Sequence, residues 1–257
     1  MACQDLEERL FGGELIRLVK SPQTAELVQQ AWKVVRHEFG EMPLKLSPDE
    51  FRGALTQARS KIQAAPFPRL VESVLEAAGL CLKGLRLDSL RLRAVTPGLE
   101  HVEAAAPVFY CHRDTWYGNP SCQINGWIPL HAVDGRNSFR FFTDYFERPI
   151  NNDSHLFSAA KFAGEGGFGR VPGQVESVYP RALDEPRGEY RDICCEEGEL
   201  LLFAAAHLHQ TLPNRTDSPR FSLDFRFYRD EHLQSGRGAP DPDNRSCGLL
   251  TNGYRPL

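Results

Sequence analysis

The sequence has no run of apolar residues that approaches the length of about 20 needed to cross a bilayer. Its first nine residues, Met1 to Arg9, carry acidic side chains and lack the apolar segment of a secretory signal peptide. These two absences predict a protein of the cytoplasm, neither inserted in a membrane nor exported.

Cysteine pairs with metal-binding spacing are also missing. The seven cysteines are odd in number, and no two of them form a Cys-x-x-Cys motif. The pattern argues against both a zinc ribbon and a disulfide framework. Free thiols favour a reducing compartment.

The chain has no excess of positive charge. Its formal net charge is −4 and its pI is near 6.1, whereas general nucleic-acid binding requires a clustered basic surface. Arg86, Arg91 and Arg93 lie close together, but in an apolar, alternating stretch that indicates strand residues. The 257 residues show no internal repeat and no linker, which predicts one domain, 1–257, whose core needs no disulfides.

The first third of the chain, residues 1–84, is predicted to be a helical layer. Ser-Pro pairs at residues 21–22 and 47–48 supply an N-cap and a first-turn proline, and Glu50 completes a capping box at the second pair. Apolar residues then recur at helical spacing. The predicted helices are Gln23–Phe39, Pro48 to about Ala65, and Pro68–Gly79.

From Leu85 the pattern changes to short alternating runs separated by Gly, Pro, Asn and Asp, which is typical of a β-sandwich or barrel. We predict a mainly β fold with flanking helices: a double-stranded β-helix (a cupin-like jelly roll) at 85–234. The segment 151–173 is predicted to be a lid loop, and 235–257 an irregular tail. The predicted strands are Leu85–Ala94, Ala105–Cys111, Ser121–Ala132, Ser138–Thr143, Gln174–Tyr179, Glu199–Ala206 and Arg220–Tyr228.

One short motif has the residue types of an oxygen-activating iron(II) site, in which two imidazoles and one carboxylate occupy one face of the ion. His112 and Asp114 lie two residues apart, so an extended chain would point both to one side. His207 or His209, at the end of the run Leu200–Ala206, would supply the third ligand, and the spacing does not separate them. The remaining histidines, at 37, 131, 155 and 232, are expected to be structural, and His101-Val-Glu103 is expected to be a chance match.

A second group of residues follows the distal histidines. Arg220 and Ser222 lie on one face of a predicted strand, opposite Phe221, Leu223 and Phe225. An arginine there can pair with a carboxylate through two hydrogen bonds, and the serine adds a hydroxyl. This arrangement indicates an anchor for the far end of a dicarboxylate that chelates iron. The competing interpretation of Arg220 is a surface salt bridge.

Together these motifs resemble the phytanoyl-CoA dioxygenase-like group of iron(II)/2-oxoglutarate oxygenases. The stretch from His112 to Pro129 is similar to a bacterial branch of natural-product enzymes that includes the streptomycin-cluster oxygenase. Leu208–Asn214, Arg220–Arg226 and Arg237–Pro240 extend the resemblance, which runs from about Leu87 to Gly248. It implies iron(II), 2-oxoglutarate and O₂, with His112, Asp114 and His209 as metal ligands and Arg220 as the 2-oxoglutarate clamp.

Further pocket residues are expected around this centre. Gln123, Asn125 and Trp127 share one strand face, and their competing interpretation is a solvated face. The resemblance places Ser222, Thr211, Asn125 and Trp127 with the co-substrate. Candidate substrate residues are Arg93, Trp116, Tyr117, Gln123 and Arg226, although the two aromatics could be core residues and the arginines could form surface ion pairs.

The expected activity is oxidation, most simply hydroxylation, of a small polar metabolite or natural-product intermediate, with decarboxylation of 2-oxoglutarate to succinate. The carboxylate of Asp114 argues against halogenation, because halogenases of this type have a small residue there. Alternatives are a cupin-type isomerase or epimerase that does not use 2-oxoglutarate, and a non-catalytic binding protein of the same fold. The acidic balance disfavours a nucleic-acid demethylase, and no basic site for the phosphates of a CoA ester is evident.

Overall fold

The computed structural model describes residues 3–165 and 178–257, and it combines helices with two antiparallel sheets. The α-helices are α1 Cys3–Phe11, α2 Pro22–Phe39, α3 Pro48–Gln63, α4 Phe67–Ala77, α5 Ala159–Gly164 and α6 Asp230–Ser235. The strands are β1 Ile16–Leu18, β2 Leu85–Leu87, β3 Arg91–Val95, β4 Ile124–Pro129, β5 Phe139–Phe141, β6 Arg191–Asp192, β7 Leu200–Ala204, β8 His209–Thr211, β9 Arg220–Arg229 and β10 Arg255–Pro256. Short 3₁₀ helices cover Pro43–Lys45, Leu99–His101, Glu103–Phe109, Asp114–Tyr117, Thr143–Tyr145 and Ser154–Leu156.

The three predicted N-terminal helices are present, and serine caps explain the starts of α2 and α3, whereas α4 begins after Pro66 without a side-chain cap. Ser21 accepts a hydrogen bond from the backbone of Thr24, and Ser47 accepts one from the backbone of Glu50. Both sites form complete capping boxes followed by a proline, and each cap contributes about 1 kcal/mol. The prediction of α2, α3 and α4 is therefore confirmed.

The larger sheet is built around β9, whose ten residues are almost all buried. Its strand order is β1-β7-β4-β9-β2-β10, and β3 also pairs with β9. The smaller sheet has the order β6-β5-β8. The N-terminal helices and the larger sheet share one apolar core. It includes Leu27 of α2, Leu75 of α4, and Phe225 and Phe227 of β9.

Several features of the described residues differ from the sequence-based prediction. The predicted strand Ala105–Cys111 is wrong, because most of that segment forms the 3₁₀ helix Glu103–Phe109. Alanines have little preference for strands, and Pro107 has no N–H for a ladder bond. The run Leu85–Ala94 forms two strands, β2 and β3, and not one.

The sequence also gave no sign of α1, β1 or α6. The predicted irregular tail is largely irregular, although β10 pairs with β2. Within the predicted lid loop, the described part holds the short helices Ser154–Leu156 and Ala159–Gly164. The rest of that loop, and most of the predicted strand Gln174–Tyr179, lie outside the described residues. No helix within 3–165 or 178–257 is long and apolar enough to span a membrane.

Candidate metal centre and its cavity

A cavity of about 600 Å³ opens on the polar face of the larger sheet. Its floor is formed by alternate residues of β9, including Arg220, Asp224 and Arg226, because alternate side chains of a strand face the same side. Asn125 on the neighbouring strand β4 also lines it. The volume lies within the usual range of small-molecule sites.

Three residues of the cavity could hold a metal ion: His112, Asp114 and His209, whose donor atoms all lie within 4.8 Å of one another. Backbone pairing brings them together. The amide of each histidine donates to the carbonyl of the other at 2.9 Å, and the Asp114 amide donates to Ala205 at 2.9 Å. Two imidazoles and one carboxylate from separate segments thus converge on one point.

Both imidazoles are oriented by backbone carbonyls. Nδ1 of His112 lies 2.8 Å from the carbonyl of Tyr110, and Nδ1 of His209 lies 2.9 Å from the carbonyl of His207. A proton on Nδ1 satisfies each contact and leaves Nε2 as the lone-pair donor, which is the usual arrangement of a metal-binding histidine. Burial, assisted by the charge of His112, lowers the pKa of His209 to about 3, so this imidazole is neutral near pH 7.

The carboxylate of Asp114 is held on both sides. The amide of Asn125 donates to its Oδ2 at 2.7 Å, and Nη2 of Arg226 lies 3.6 Å from its Oδ1. Burial alone would raise the pKa of Asp114, but the charge of Arg226 outweighs it and lowers that pKa well below its usual value. The group is therefore a carboxylate, as a metal ligand must be.

The structure separates the two histidines that the sequence left open. His207 is only 3% exposed, and its ring nitrogens lie 3.1 Å from the carbonyls of Gly13 and Ala204. Burial lowers its pKa to about 4. Both of its nitrogens face backbone carbonyls, one of which accepts the single N–H of the neutral ring, whereas His209 faces His112 with 4.4 Å between ring centroids.

Arg220 lines the same cavity. Its guanidinium is a buried cation, since the residue is only 4% exposed. Its Nη1 donates to Ser222 at 2.8 Å, while its Nε is buried without a hydrogen-bond partner among the described residues. Burial, and then the charge of Arg93, lowers the pKa of Arg220 to about 10. Leaving such a donor unpaired is costly, and an anion bound in the cavity would satisfy it.

The other predicted co-substrate residues lie around this arginine. Thr211, Asn125 and Trp127 line the cavity, and the Arg220 guanidinium lies 6.0 Å from the centre of the Trp127 ring. Ser222 is fully buried beneath it. The structure thus brings all five residues into one region.

Some of the predicted substrate residues line the cavity and others do not. Tyr117 lines the cavity with its ring edge-on to His112, 5.1 Å between centroids. Arg93 also lines it, with a side chain 45% exposed and paired through Nε and Nη2 with Asp224. Gln123 lies behind Asn125, to which it donates at 2.9 Å. Trp116 packs in a separate apolar cluster, and its indole donates to Asp243.

Sequence reasoning missed the residues that hold the metal motif from behind. Arg113, between the two ligands of the motif, is completely buried. Its guanidinium donates to the carbonyls of Ala206 at 2.5 Å and Tyr145 at 2.6 Å, and it pairs with Asp243 at 3.0 Å. Asp243 also accepts from the indole of Trp116 at 2.8 Å and from the amide of Ile150 at 2.9 Å. The tail therefore secures the metal motif.

No protein-family model and no curated protein sequence matches this chain. Solved structures do share its fold. ThoJ, a non-haem monooxygenase solved in its apo form, is 17% identical over 88% of this chain and 77% of its own, with a TM-score of 0.52. EvdO2 from Micromonospora carbonacea var. aurantiaca is 13% identical over 87% of this chain and 89% of its own, with a TM-score of 0.53.

EvdO2 has also been solved in complex with 2-oxoglutarate, and that structure matches with a TM-score of 0.50 at 12% identity, over 87% of this chain and 89% of its own. At such identities the similarity establishes a shared fold. One of these neighbours is described as a non-haem monooxygenase and another binds 2-oxoglutarate, so the predicted resemblance is confirmed at the level of the fold.

Proposed function

We propose that this chain is an iron(II)- and 2-oxoglutarate-dependent oxygenase of the phytanoyl-CoA dioxygenase-like group. In this proposal His112, Asp114 and His209 hold iron, and Arg220 with Ser222 holds the distal carboxylate of 2-oxoglutarate. We further assign the two sheets to a jelly roll, the arrangement in which such a site lies between facing strands.

One observation carries the proposal. A single cavity contains both a His-Asp-His group and a buried arginine whose Nε has no partner among the described residues. A metal-binding enzyme without 2-oxoglutarate has no use for that second feature, since a buried cation with an unused donor is destabilising. A dicarboxylate bound to the metal at one end would pair with the arginine at the other.

Bound iron(II) and 2-oxoglutarate together supply oxygen activation, in which the keto acid is decarboxylated to succinate and a substrate C–H bond is oxidised. The protein's own residues orient and shield these groups. Nδ1 contacts with backbone carbonyls fix both imidazoles, and Trp127 and Tyr117 provide aromatic surface beside the centre. Halogenases of the resembled type have a small residue where this chain has Asp114, so the carboxylate favours hydroxylation over halogenation.

The substrate is expected to be a small polar metabolite or a natural-product intermediate. The cavity of about 600 Å³ has room for more than a five-carbon diacid. Arg93 is the cavity arginine with substantial exposure, and its hydrogen bonds to Asp224 use Nε and Nη2, so Nη1 lies outside that pair. This ion pair offers a donor beside an acceptor, which suits a hydroxyl-bearing or carboxylate-bearing substrate.

The test is to add iron(II) and 2-oxoglutarate to purified protein without oxygen and to record the visible metal-to-ligand charge-transfer band. The wild type should show the band, Arg220→Ala should weaken it, and His209→Ala should abolish it. His207→Gln is the matched control and should keep it, because the nitrogens of His207 contact the backbone.

Succinate release in air then provides a screen for substrates. A folded, iron-loaded wild type without the band would refute the use of 2-oxoglutarate and would leave the cupin-type alternative. An Asp114→Gly variant that retained full oxidation of a substrate would refute the role of that carboxylate.

A further inference from the structure

A line of buried hydrogen bonds joins the tail of the chain to the carboxylate of Asp114. The hydroxyl of Tyr254 donates to Oε1 of Gln123, and Nε2 of Gln123 donates to Oδ1 of Asn125 at 2.9 Å. Nδ2 of Asn125 in turn donates to Oδ2 of Asp114 at 2.7 Å. Gln123 is 0% and Asn125 4% exposed, so bulk water does not replace these partners.

The direction of the line is set by the charge at its end. An ionised carboxylate can only accept hydrogen bonds, so Asn125 must present its NH₂ group to Asp114. Its carbonyl oxygen then faces Gln123, which must present its own NH₂ group. The carbonyl oxygen of Gln123 is left to accept from a donor, and the hydroxyl of Tyr254 supplies one.

The line also distinguishes the two oxygens of Asp114. Oδ2 is committed to Asn125, while Oδ1 lies 3.7 Å from Nε2 of His112, one of the other two proposed metal donors. The nearest guanidinium nitrogen, Nη2 of Arg226, is 3.6 Å from Oδ1, which is too long for a hydrogen bond. Oδ1 is therefore the oxygen presented to a metal.

We infer that Tyr254, Gln123 and Asn125 form a positioning relay that makes Asp114 bind the metal through one oxygen, Oδ1. The inference rests on the proposed metal site, and it gives Asn125 and Gln123 roles different from contact with co-substrate or substrate. Tyr254 owes its place to β10, which pairs with β2, and to its ring contact with Tyr228, 4.8 Å between centroids.

The relay is tested with cobalt(II) as the probe, in the absence of 2-oxoglutarate and of any substrate. Cobalt affinity and the visible d–d spectrum would be measured for the wild type, Asn125→Ala, Tyr254→Phe and the double variant. Arg255→Gln is the matched control: it breaks the tail's contact with Glu72 but leaves the relay intact. Circular dichroism would establish that each protein is folded.

We expect Asn125→Ala to weaken cobalt binding about 10- to 100-fold, the usual effect of removing a hydrogen-bond partner of a metal ligand. Its d–d spectrum at saturation should differ from that of the wild type, because the carboxylate is free to bind through both oxygens. Tyr254→Phe keeps the ring and should cause a smaller loss. In the double variant, Tyr254→Phe should cause no further loss beyond that of Asn125→Ala, because the effects of groups that act through one another are not additive. Arg255→Gln should bind like the wild type.

Wild-type affinity and spectrum in both single variants would overturn the relay and leave the proposed function standing, since the wild type still binds the metal. Independent, additive losses would also overturn it. A wild type that binds no cobalt would refute the metal site itself, and the relay with it. If Asn125→Ala does not fold, Tyr254→Phe alone decides, because it removes one hydroxyl from a half-buried residue.

Discussion

The two ends of the cavity differ in how far the protein itself satisfies the hydrogen-bonding groups of their side chains. At the metal end, formed by His112, Asp114 and His209, each ligand has a second atom bonded to the protein, so its orientation is set before an ion arrives. At the clamp end, formed by Arg220 and Ser222, the buried Nε of the arginine has no partner among the described residues. In the proposed function, the protein alone orients the side chains of the metal end, while the clamp end would be completed by a bound anion.

The largest effect should come from removing the support behind the metal end. Asp243→Ala leaves the buried guanidinium of Arg113 without its carboxylate, and breaking a buried ion pair in this way costs about 3–5 kcal/mol. We expect the free energy of unfolding to fall by that order and iron affinity to fall with it. Urea unfolding and anaerobic iron titration measure the two effects.

Asp241→Asn is the matched control for that change. Asp241 accepts hydrogen bonds from the hydroxyl of Thr115 at 2.7 Å and from the amide of Asn244 at 2.8 Å. An asparagine keeps an oxygen for Thr115 and loses only the contact with Asn244, so its cost should stay well below that of Asp243→Ala. Equal losses of stability in the two variants would contradict a special role for Asp243.

A smaller effect should appear as a pH dependence at His207, which lies beside the metal end without belonging to it. Burial lowers its pKa to about 4 in the folded protein, whereas an unfolded histidine titrates near 6.5. Between these values the unfolded chain binds the extra proton, so stability is lost as the pH falls from about 6.5 towards 4. The shift corresponds to about 3 kcal/mol.

In His207→Gln this part of the acid sensitivity should be absent. Urea unfolding of metal-free wild type and variant at pH 7 and at pH 4.5 gives the comparison. An identical loss of stability in both proteins would show that His207 is not a source of it.

The smallest expected effect belongs to the clamp end and has the opposite sign. Replacing Arg220 by the apolar Met removes a buried cation that lacks a full set of partners, so the protein without 2-oxoglutarate should gain about 1 kcal/mol. Saturating 2-oxoglutarate should reverse the order: at 100 times its Kd it stabilises the wild type by about 2.7 kcal/mol.

Anaerobic unfolding of the iron-loaded proteins, with and without the keto acid, measures both effects of Arg220→Met. A variant less stable than the wild type in the absence of 2-oxoglutarate would mean that Arg220 serves the fold and not a ligand.

The same contrast explains what the sequence could predict. Helices α2 and α3 were predicted because a cap acts over three residues, as Ser47 does on Glu50. Arg220 and Ser222 were predicted to share a face because strand geometry has a period of two. Both rules are local, and both hold wherever a strand or a cap forms.

The supports of the site follow no local rule. Arg113 and Asp243 are 130 positions apart in the sequence, and no spacing indicates that they meet. The orientation of Asn125 depends likewise on Gln123, and through it on Tyr254, which lies 131 positions after Gln123 in the sequence. The residues next to His207 and His209 in the sequence do not distinguish the two histidines. The difference comes from the distant Gly13, whose carbonyl contacts His207.

The ion pair between Arg113 and Asp243 also bears on whether folding or metal uptake comes first. Contacts between distant parts of a chain form late, since closing a long loop costs entropy before any contact rewards it. The loop that carries His112 and Asp114 gains its backing only when the segment around Asp243 has docked. We therefore expect metal uptake to follow folding, so that a chelator present during refolding would delay activity without preventing the chain from reaching its native form.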